Sequence, residues 1–167
     1  GEISYISGDV KIYRNLKKNK AEIGFRIQAS DRIKTAKGAK AEIKLDRGGV
    51  IHIKESTTLS LTSKEKGNIK CSLNVGKLRI KLKKLSKKES FIVKTPSASA
   101  GVRGTDWIQT SAGESMVLSG LVEVKSLKDI KNKKEGTMVG AGKRVFINAD
   151  GKVSKPDDIP NVEIKKI

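Results

Sequence analysis

One alternation governs what this chain can fold into. From Val75 to Lys83, the residues Leu78, Ile80 and Leu82 share one side, while Lys77, Arg79, Lys81 and Lys83 share the other. A period of two is the repeat of a β-strand, whose successive side chains point to opposite faces. The same repeat runs through Val10 and Ile12, through Ala41, Ile43 and Leu45, through Ile51 and Ile53, and through Leu59 and Leu61. Shorter apolar runs follow at Phe91 to Val93, Trp107-Ile108, Met116 to Leu118, Leu121 to Val124 and Val145 to Ile147. Such runs recur about every ten residues, separated by Gly, Ser, Asn and Asp, and this spacing predicts an all-β chain.

A glycine opens many of these runs. Gly8-Asp9-Val10-Lys11-Ile12, Gly49-Val50-Ile51-His52-Ile53, Gly76-Lys77-Leu78-Arg79-Ile80 and Gly120-Leu121-Val122-Glu123-Val124 form a loose repeat, and Gly142 stands in a similar place. Each glycine is expected to supply a positive φ or a tight turn where one strand hands over to the next. Asn-Gly hairpin turns are not evident, so stacked β-coils in a solenoid-like arrangement are preferred, with a sandwich as the alternative. Ser126 to Glu135 can form a helical turn or two. One β domain is expected over residues 1–151. Residues 152–167, with Pro156, Asp157, Asp158 and Pro160, read as a C-terminal tail or linker leading to a further domain.

Several chemistries fall away early. The 167 residues contain one cysteine, Cys71, and one histidine, His52, too few for an internal disulfide or a multi-histidine metal site. Nothing approaches the about 18 to 20 consecutive apolar residues of a membrane helix. Around Gly142-Lys143, Thr137 and Arg144 stand where a phosphate-binding loop needs glycine and Ser or Thr. Val145 stands where a dinucleotide fingerprint needs its third glycine, and no Gly-x-Ser-x-Gly elbow occurs. No cofactor, metal or enzymatic activity is expected.

The charge is large and uneven. The formal net charge is +18, with 23 basic and 9 acidic side chains in residues 1–90 against 13 and 9 in residues 91–167. Such a field favours anionic partners, although lysine bias with solubility would produce the same count. The sharpest surface feature is the basic strand face Lys77, Arg79, Lys81 and Lys83, continued by Lys84, Lys87 and Lys88. Same-face residues there stand about 6.6 to 7 Å apart, a loose match to a row of phosphates or carboxylates. The structural alternative is an edge strand whose lysines block strand addition. Nucleic acid is not expected, because stacking aromatics and a reading helix are not evident.

The segment from Phe91 to Trp107 is distinctive: a strand, a Thr95-Pro96 turn, the small residues Ser97 to Gly101, then Val102-Arg103-Gly104-Thr105 and Trp107. With Gly8 to Ile12, Ser30 to Thr35, Ala41 to Gly48, Leu73 to Ile80, Gly120 to Val124 and Gly140 to Lys143, it resembles the FecR domain family over nearly the whole chain. Ser30 replaces a usual glycine, Arg47 separates Asp46 from Gly48, and Gly142-Lys143 stands where Gly-Gln is commoner. The resemblance implies an extracytoplasmic β-rich module. In founding members that module sits in the periplasm behind a membrane anchor, receives a signal from an outer-membrane transporter and controls a sigma factor. This chain shows neither the sigma-binding helices nor the anchor. It is therefore expected to be a stand-alone, non-catalytic sensor or interaction module. Its location would be periplasmic or otherwise extracytoplasmic, with the signal or anchor outside this sequence. Its partner would be another envelope protein, bound through sheet edges and loops. The alternative is an envelope polyanion binder, for peptidoglycan or anionic lipid or polymer, acting through the lysine-rich face.

Within the motif, Arg103 either anchors a partner's carboxylate or phosphate, or staples neighbouring turns through Asp31 or Asp106. Gly104 permits close backbone approach, Thr105 can bond a neighbouring strand, and Trp107 is expected as a core plug. His52 is expected to face outward as an ordinary strand residue, and Cys71 to be buried or simply unpaired.

Overall fold

The computed structural model describes residues 1–65, 67–102 and 104–164. The chain is all-β and alternates between two sheets. β1 (Glu2–Ser7) begins the first sheet, and a corner at Gly8 leads to β2 (Val10–Arg14), β3 (Lys17–Lys20) and β4 (Arg32–Thr35) in the second. The hairpin of β5 (Lys40–Lys44) and β6 (Gly49–Ile53) returns to the first, and β7 (Thr58–Glu65) with β8 (Asn68–Val75) to the second. β9 (Lys77–Leu82) is in the first sheet, and β10 (Ser90–Lys94) and β11 (Ala98–Val102) are in the second. β12 (Asp106–Thr110) and β13 (Ser115–Ser119) rejoin the first, followed by β14 (Leu121–Ser126) and β15 (Thr137–Gly140) in the second. β16 (Lys143–Val145) and β17 (Asp157–Asp158) close the first sheet. Two short helices, α1 (Leu127–Lys131) and α2 (Asn161–Ile164), decorate this frame. Among the described residues, no helix is long and apolar enough to cross a membrane.

Strand order explains why the sequence reads as stacked coils. The first sheet runs β1-β5-β6-β9-β12-β13-β16-β17, and the second runs β15-β14-β11-β10-β8-β7-β4-β2-β3. Apart from β2 and β3, both orders follow the chain, so each segment stacks on the one before it, as in a solenoid. The pairing is that of a sandwich: every strand pair is antiparallel except β8 with β10.

Most glycines of the repeat mark corners, whereas Gly49 opens β6 in a hairpin within the first sheet. Gly8, Gly76 and Gly120 each stand between a strand of one sheet and a strand of the other, Gly142 stands beside such a switch, and all four have positive φ. Gly76 shows the constraint most clearly. At φ +99° its missing Cβ would lie 2.2 Å from Thr57 Oγ1 and 2.6 Å from Thr57 Cα. That space is used, because Thr57 Oγ1 accepts the Lys77 N–H at 3.1 Å.

Alternation places the core between the sheets. Ile43, Ile51, Leu78, Ile80, Trp107 and Val117 from the first sheet meet Ile12, Ile33, Leu73, Phe91, Val93 and Val124 from the second. Cys71 is buried there with a free thiol, and burial pushes that thiol's pKa up to about 12. The strap between β3 and β4 is pinned by Arg14, whose Nε and Nη2 donate to the fully buried Asp31 at 2.8 and 2.7 Å. The anticipated helical turn is α1, with Ser126 as its N-cap and a reciprocal capping box to Asp129.

The segment from Lys152 onward, expected as a tail, is tied down over part of its length. β17 pairs with β16, and Ile159 is buried with Ile108, Met116 and Leu118 on the outer face of the first sheet. Those three apolar side chains point away from the main core and would otherwise meet water. Arg144 joins the same layer, within ion-pair distance of Glu114, Asp157 and Glu163.

Candidate functional site

The distinctive segment forms the crossing from β11 to β12. Thr95 shapes the β10–β11 turn: its hydroxyl accepts the Ala98 N–H at 3.0 Å, with Pro96 exposed beside it. Arg103 lies outside the described residues. Of the two carboxylates considered for it, Asp31 is held by Arg14 and Asp106 by Arg79. Gly104, at φ +134°, passes so close to residue 84 that a Cβ would lie 2.6 Å from Lys84 Cα. The Thr105 carbonyl accepts the Leu82 N–H at 2.8 Å, while the buried Thr105 hydroxyl has no hydrogen-bond partner among the described residues. Trp107 is fully buried and meets Phe91 edge-to-face, with ring centroids 6.0 Å apart. Its indole N–H likewise finds no partner among the described residues.

The small residues of β11 have a second consequence. Ser99 and Gly101 face outward, and Gly101 stands in register between Ile92 and Glu123. The outer face of the second sheet therefore sinks into an open trough of about 700 Å³, walled by Ile92, Leu121, Glu123 and Met138 and reached by Lys84. Leu121 and Met138 are half exposed.

The trough ends near β15, one of four sheet edges. The edge of β1 is covered by the strap, since Ile3 N donates to Phe25 O and Gly24 N to Ile3 O. The edge of β3 is Lys17-Lys18-Asn19-Lys20, and β17 is two aspartates. These charged or covered edges resist strand addition. β15 is Thr-Met-Val-Gly, carries no charge, and among the described residues receives no hydrogen bond on its free rim.

The basic face expected along one strand is divided. β9 lies between β6 and β12, so it is an interior strand and its lysines guard no edge. Arg79 donates to Asp106 through Nε at 3.0 Å and Nη2 at 2.9 Å, and Lys81 approaches the same carboxylate at 3.7 Å. Lys83 lies along Gly48, Lys84 borders the trough, and Lys87 and Lys88 are exposed in the loop before β10. Lys77 belongs to another row. Register puts Ala41 opposite Ile53 and gives Lys54 N a bond to Lys77 O at 3.1 Å, so Lys40, Lys54 and Lys77 run side by side across three strands. Burial pushes the half-buried Lys54 amine's pKa down, and the charges of Lys40, Lys77 and Arg79 push it further. Next to this row, His52 Nδ1 stands 2.7 Å from Glu42 Oε1, half buried rather than free on the face.

A chamber lies between the sheets at the end where the loop after β9 crosses. Its volume is about 180 Å³, and Gly1, Leu45, Ile69, Leu82, Leu85 and Phe91 line it, with Asp46, Arg47, Gly48, Gly67 and Ser90 around it. A void of about 30 Å³ behind it shares Leu45 and Ile69 and reaches Cys71. The residues lining it come from sequence positions far apart, and no local motif announces the space. Among the described residues, no three of His, Cys, Asp and Glu gather as a metal site would require.

Comparisons with known proteins address the family and the fold. A model of the family described as FecR protein matches residues 31–123. Two crystal structures of a candidate anti-sigma factor from Parabacteroides distasonis ATCC 8503, at 1.65 and 2.50 Å resolution, are similar in fold. They superpose with TM-scores of 0.65 and 0.64 at 18% identity, over 81% and 79% of this chain. This chain spans 64% and 62% of those proteins' lengths. No curated protein matches at a significant level.

Proposed function

The chain belongs to the FecR family, and from that premise we propose that it is a non-catalytic, extracytoplasmic sensor and interaction module. In this reading, an extended segment of an envelope protein adds to β15 as a further strand. Its side chains rest over the neighbouring trough. The observation that carries this reading is the contrast between β15 and the other three edges: it alone is both uncharged and open. Main-chain hydrogen bonds would supply affinity, and Met138 with Leu121 on the adjacent strand would select apolar residues at alternate positions of the partner. The likeness to a candidate anti-sigma factor fits a place in a signalling chain.

The test is affinity capture from envelope extract at low and high salt, with wild type beside Met138→Lys. Met138 is about half exposed, so the substitution charges the edge without entering the core. A discrete protein retained by wild type at high salt and lost from M138K supports strand addition. Equal retention by the variant overturns it.

The row Lys40, Lys54 and Lys77 favours a second reading, binding of an anionic envelope polymer. No carboxylate forms an ion pair with any of the three among the described residues, while nearby Arg79 and Lys81 share Asp106. Capture that is lost at high salt and abolished by Lys54→Glu would favour this reading.

A further inference from the structure

Protein interiors hold few voids larger than a water molecule, and a large one lowers stability. This chain keeps an apolar chamber of about 180 Å³ open between its sheets. Cavities of about 150 Å³ lined by Leu, Ile and Phe stay dry and admit benzene-sized apolar guests.

The mouth has a different character from the interior. Leu85 enters the chamber from the loop that follows β9, and the loop is tied at the mouth by an ion pair between Glu89 and Arg47. Glu89 also closes the loop on itself, with Oε2 accepting the Ser86 N–H and its own N–H donating to Ser86 O, each at 3.0 Å. The acids at the mouth are therefore engaged: Glu89 by Arg47, and Asp46 by Arg26 at 2.9 Å. The cations are in excess. Lys83 lies along Gly48, and the Lys88 backbone stands beside Gly67, with both glycines on the chamber wall. Neither lysine has an ion-pair partner among the described residues.

The geometry points to a binding site for a single medium-length acyl chain ending in a carboxylate. The chain enters under Leu85, and the carboxylate stays at the mouth with Lys83 and Lys88. This inference is independent of strand addition at β15. It also uses part of the expected lysine run for a purpose other than a flat polymer surface.

Calorimetric titration with sodium butyrate, hexanoate and octanoate, all below their micelle concentrations, tests it, with octanol as the uncharged comparison. Affinity should rise about fourfold for each added methylene while the chamber fills. Octanol should bind more weakly than octanoate, and Lys83→Glu with Lys88→Glu should erase that difference while leaving octanol unchanged. Ile69→Trp fills the chamber and should weaken octanoate about tenfold or more. Both lysines are exposed, so their replacement tests the site even if I69W does not fold. Absence of octanoate binding, affinity indifferent to chain length, or octanol binding as tightly as octanoate overturns the inference.

Discussion

Arg79 and Asp106 meet fork to fork across β9 and β12, with Nε to Oδ1 at 3.0 Å and Nη2 to Oδ2 at 2.9 Å. The pair sits on the wet face of the first sheet, yet the two side chains are only 23% and 15% exposed. A two-point charge-assisted bond in such a place is stronger than a loose surface pair. Asp106→Asn keeps the shape and removes the charge. It should cost about 1 to 2 kcal/mol, read as a lower urea midpoint at unchanged slope. An unchanged midpoint would mean that the pair contributes nothing net.

Trp107 separates packing from hydrogen bonding. It is fully buried against Phe91, and its indole N–H has no partner among the described residues. Trp107→Ala should cost about 3 to 5 kcal/mol through the cavity it leaves. Trp107→Phe forfeits no hydrogen bond and should be markedly milder. Equal losses in the two variants would show that the indole's polar edge matters after all.

Two glycines give a controlled comparison. Gly24 has φ +86° and nothing within 4 Å of a Cβ, so Gly24→Ala meets backbone strain alone, about 1 kcal/mol. Gly76 has φ +99° with Thr57 directly in the way, so Gly76→Ala should cost clearly more. Thermal melts of the two variants side by side check the ordering.

Lys54 makes stability depend on pH in a definite direction. Its folded-state pKa is below the ordinary 10.5 because burial, and then Lys40, Lys77 and Arg79, disfavour the charged amine. The charged form therefore costs stability at all pH values below the folded pKa. That cost fades as pH climbs from the folded pKa towards 10.5. Lys54→Met should raise the melting temperature at pH 7, and its advantage should shrink in alkaline buffer. A variant no more stable than wild type at pH 7 would refute the crowding argument.

Asp129 works in the opposite sense. Its carboxylate accepts the Ser126 N–H at 3.0 Å and the Ser126 hydroxyl at 2.8 Å, bonds that hold its pKa below the ordinary carboxylate range. The cap is therefore intact at and above that range, and is lost only as pH falls through the depressed value. The Ser126 amide proton should shift in that acidic window in an NMR titration, and should not shift in Asp129→Asn.

Much of the fold can be read along the chain because each strand declares its own faces. Leu78 and Ile80 are inside, Lys77 and Arg79 outside, and Gly8, Gly76 and Gly120 mark changes of sheet, while Gly49 marks only a hairpin. Some strands give no such signal, β17 with its two aspartates among them. β3 is Lys-Lys-Asn-Lys, and β11 is Ala-Ser-Ala-Gly-Val, whose small residues carry little strand propensity. The position of β9 was equally hidden. On a sandwich, an interior strand is as wet on its outer face as an edge strand, so a lysine row cannot tell the two apart. The row of Lys40, Lys54 and Lys77 and the chamber under Leu85 depend on register between segments tens of residues apart. No window on the sequence contains them.

The order of strands also carries a direction in time. Because both sheets grow nearly in the order of the sequence, a chain emerging from its N-terminus can lay each hairpin onto a platform already built, without waiting for later segments. The stacking resembles that of repeat proteins, in which neighbours carry most of the stabilising contacts. Loss of β14 to β17 would then expose β11 and β13 as new rims while leaving earlier layers in place. The protein is in this sense assembled like masonry, course upon course, and vectorial synthesis suits its architecture.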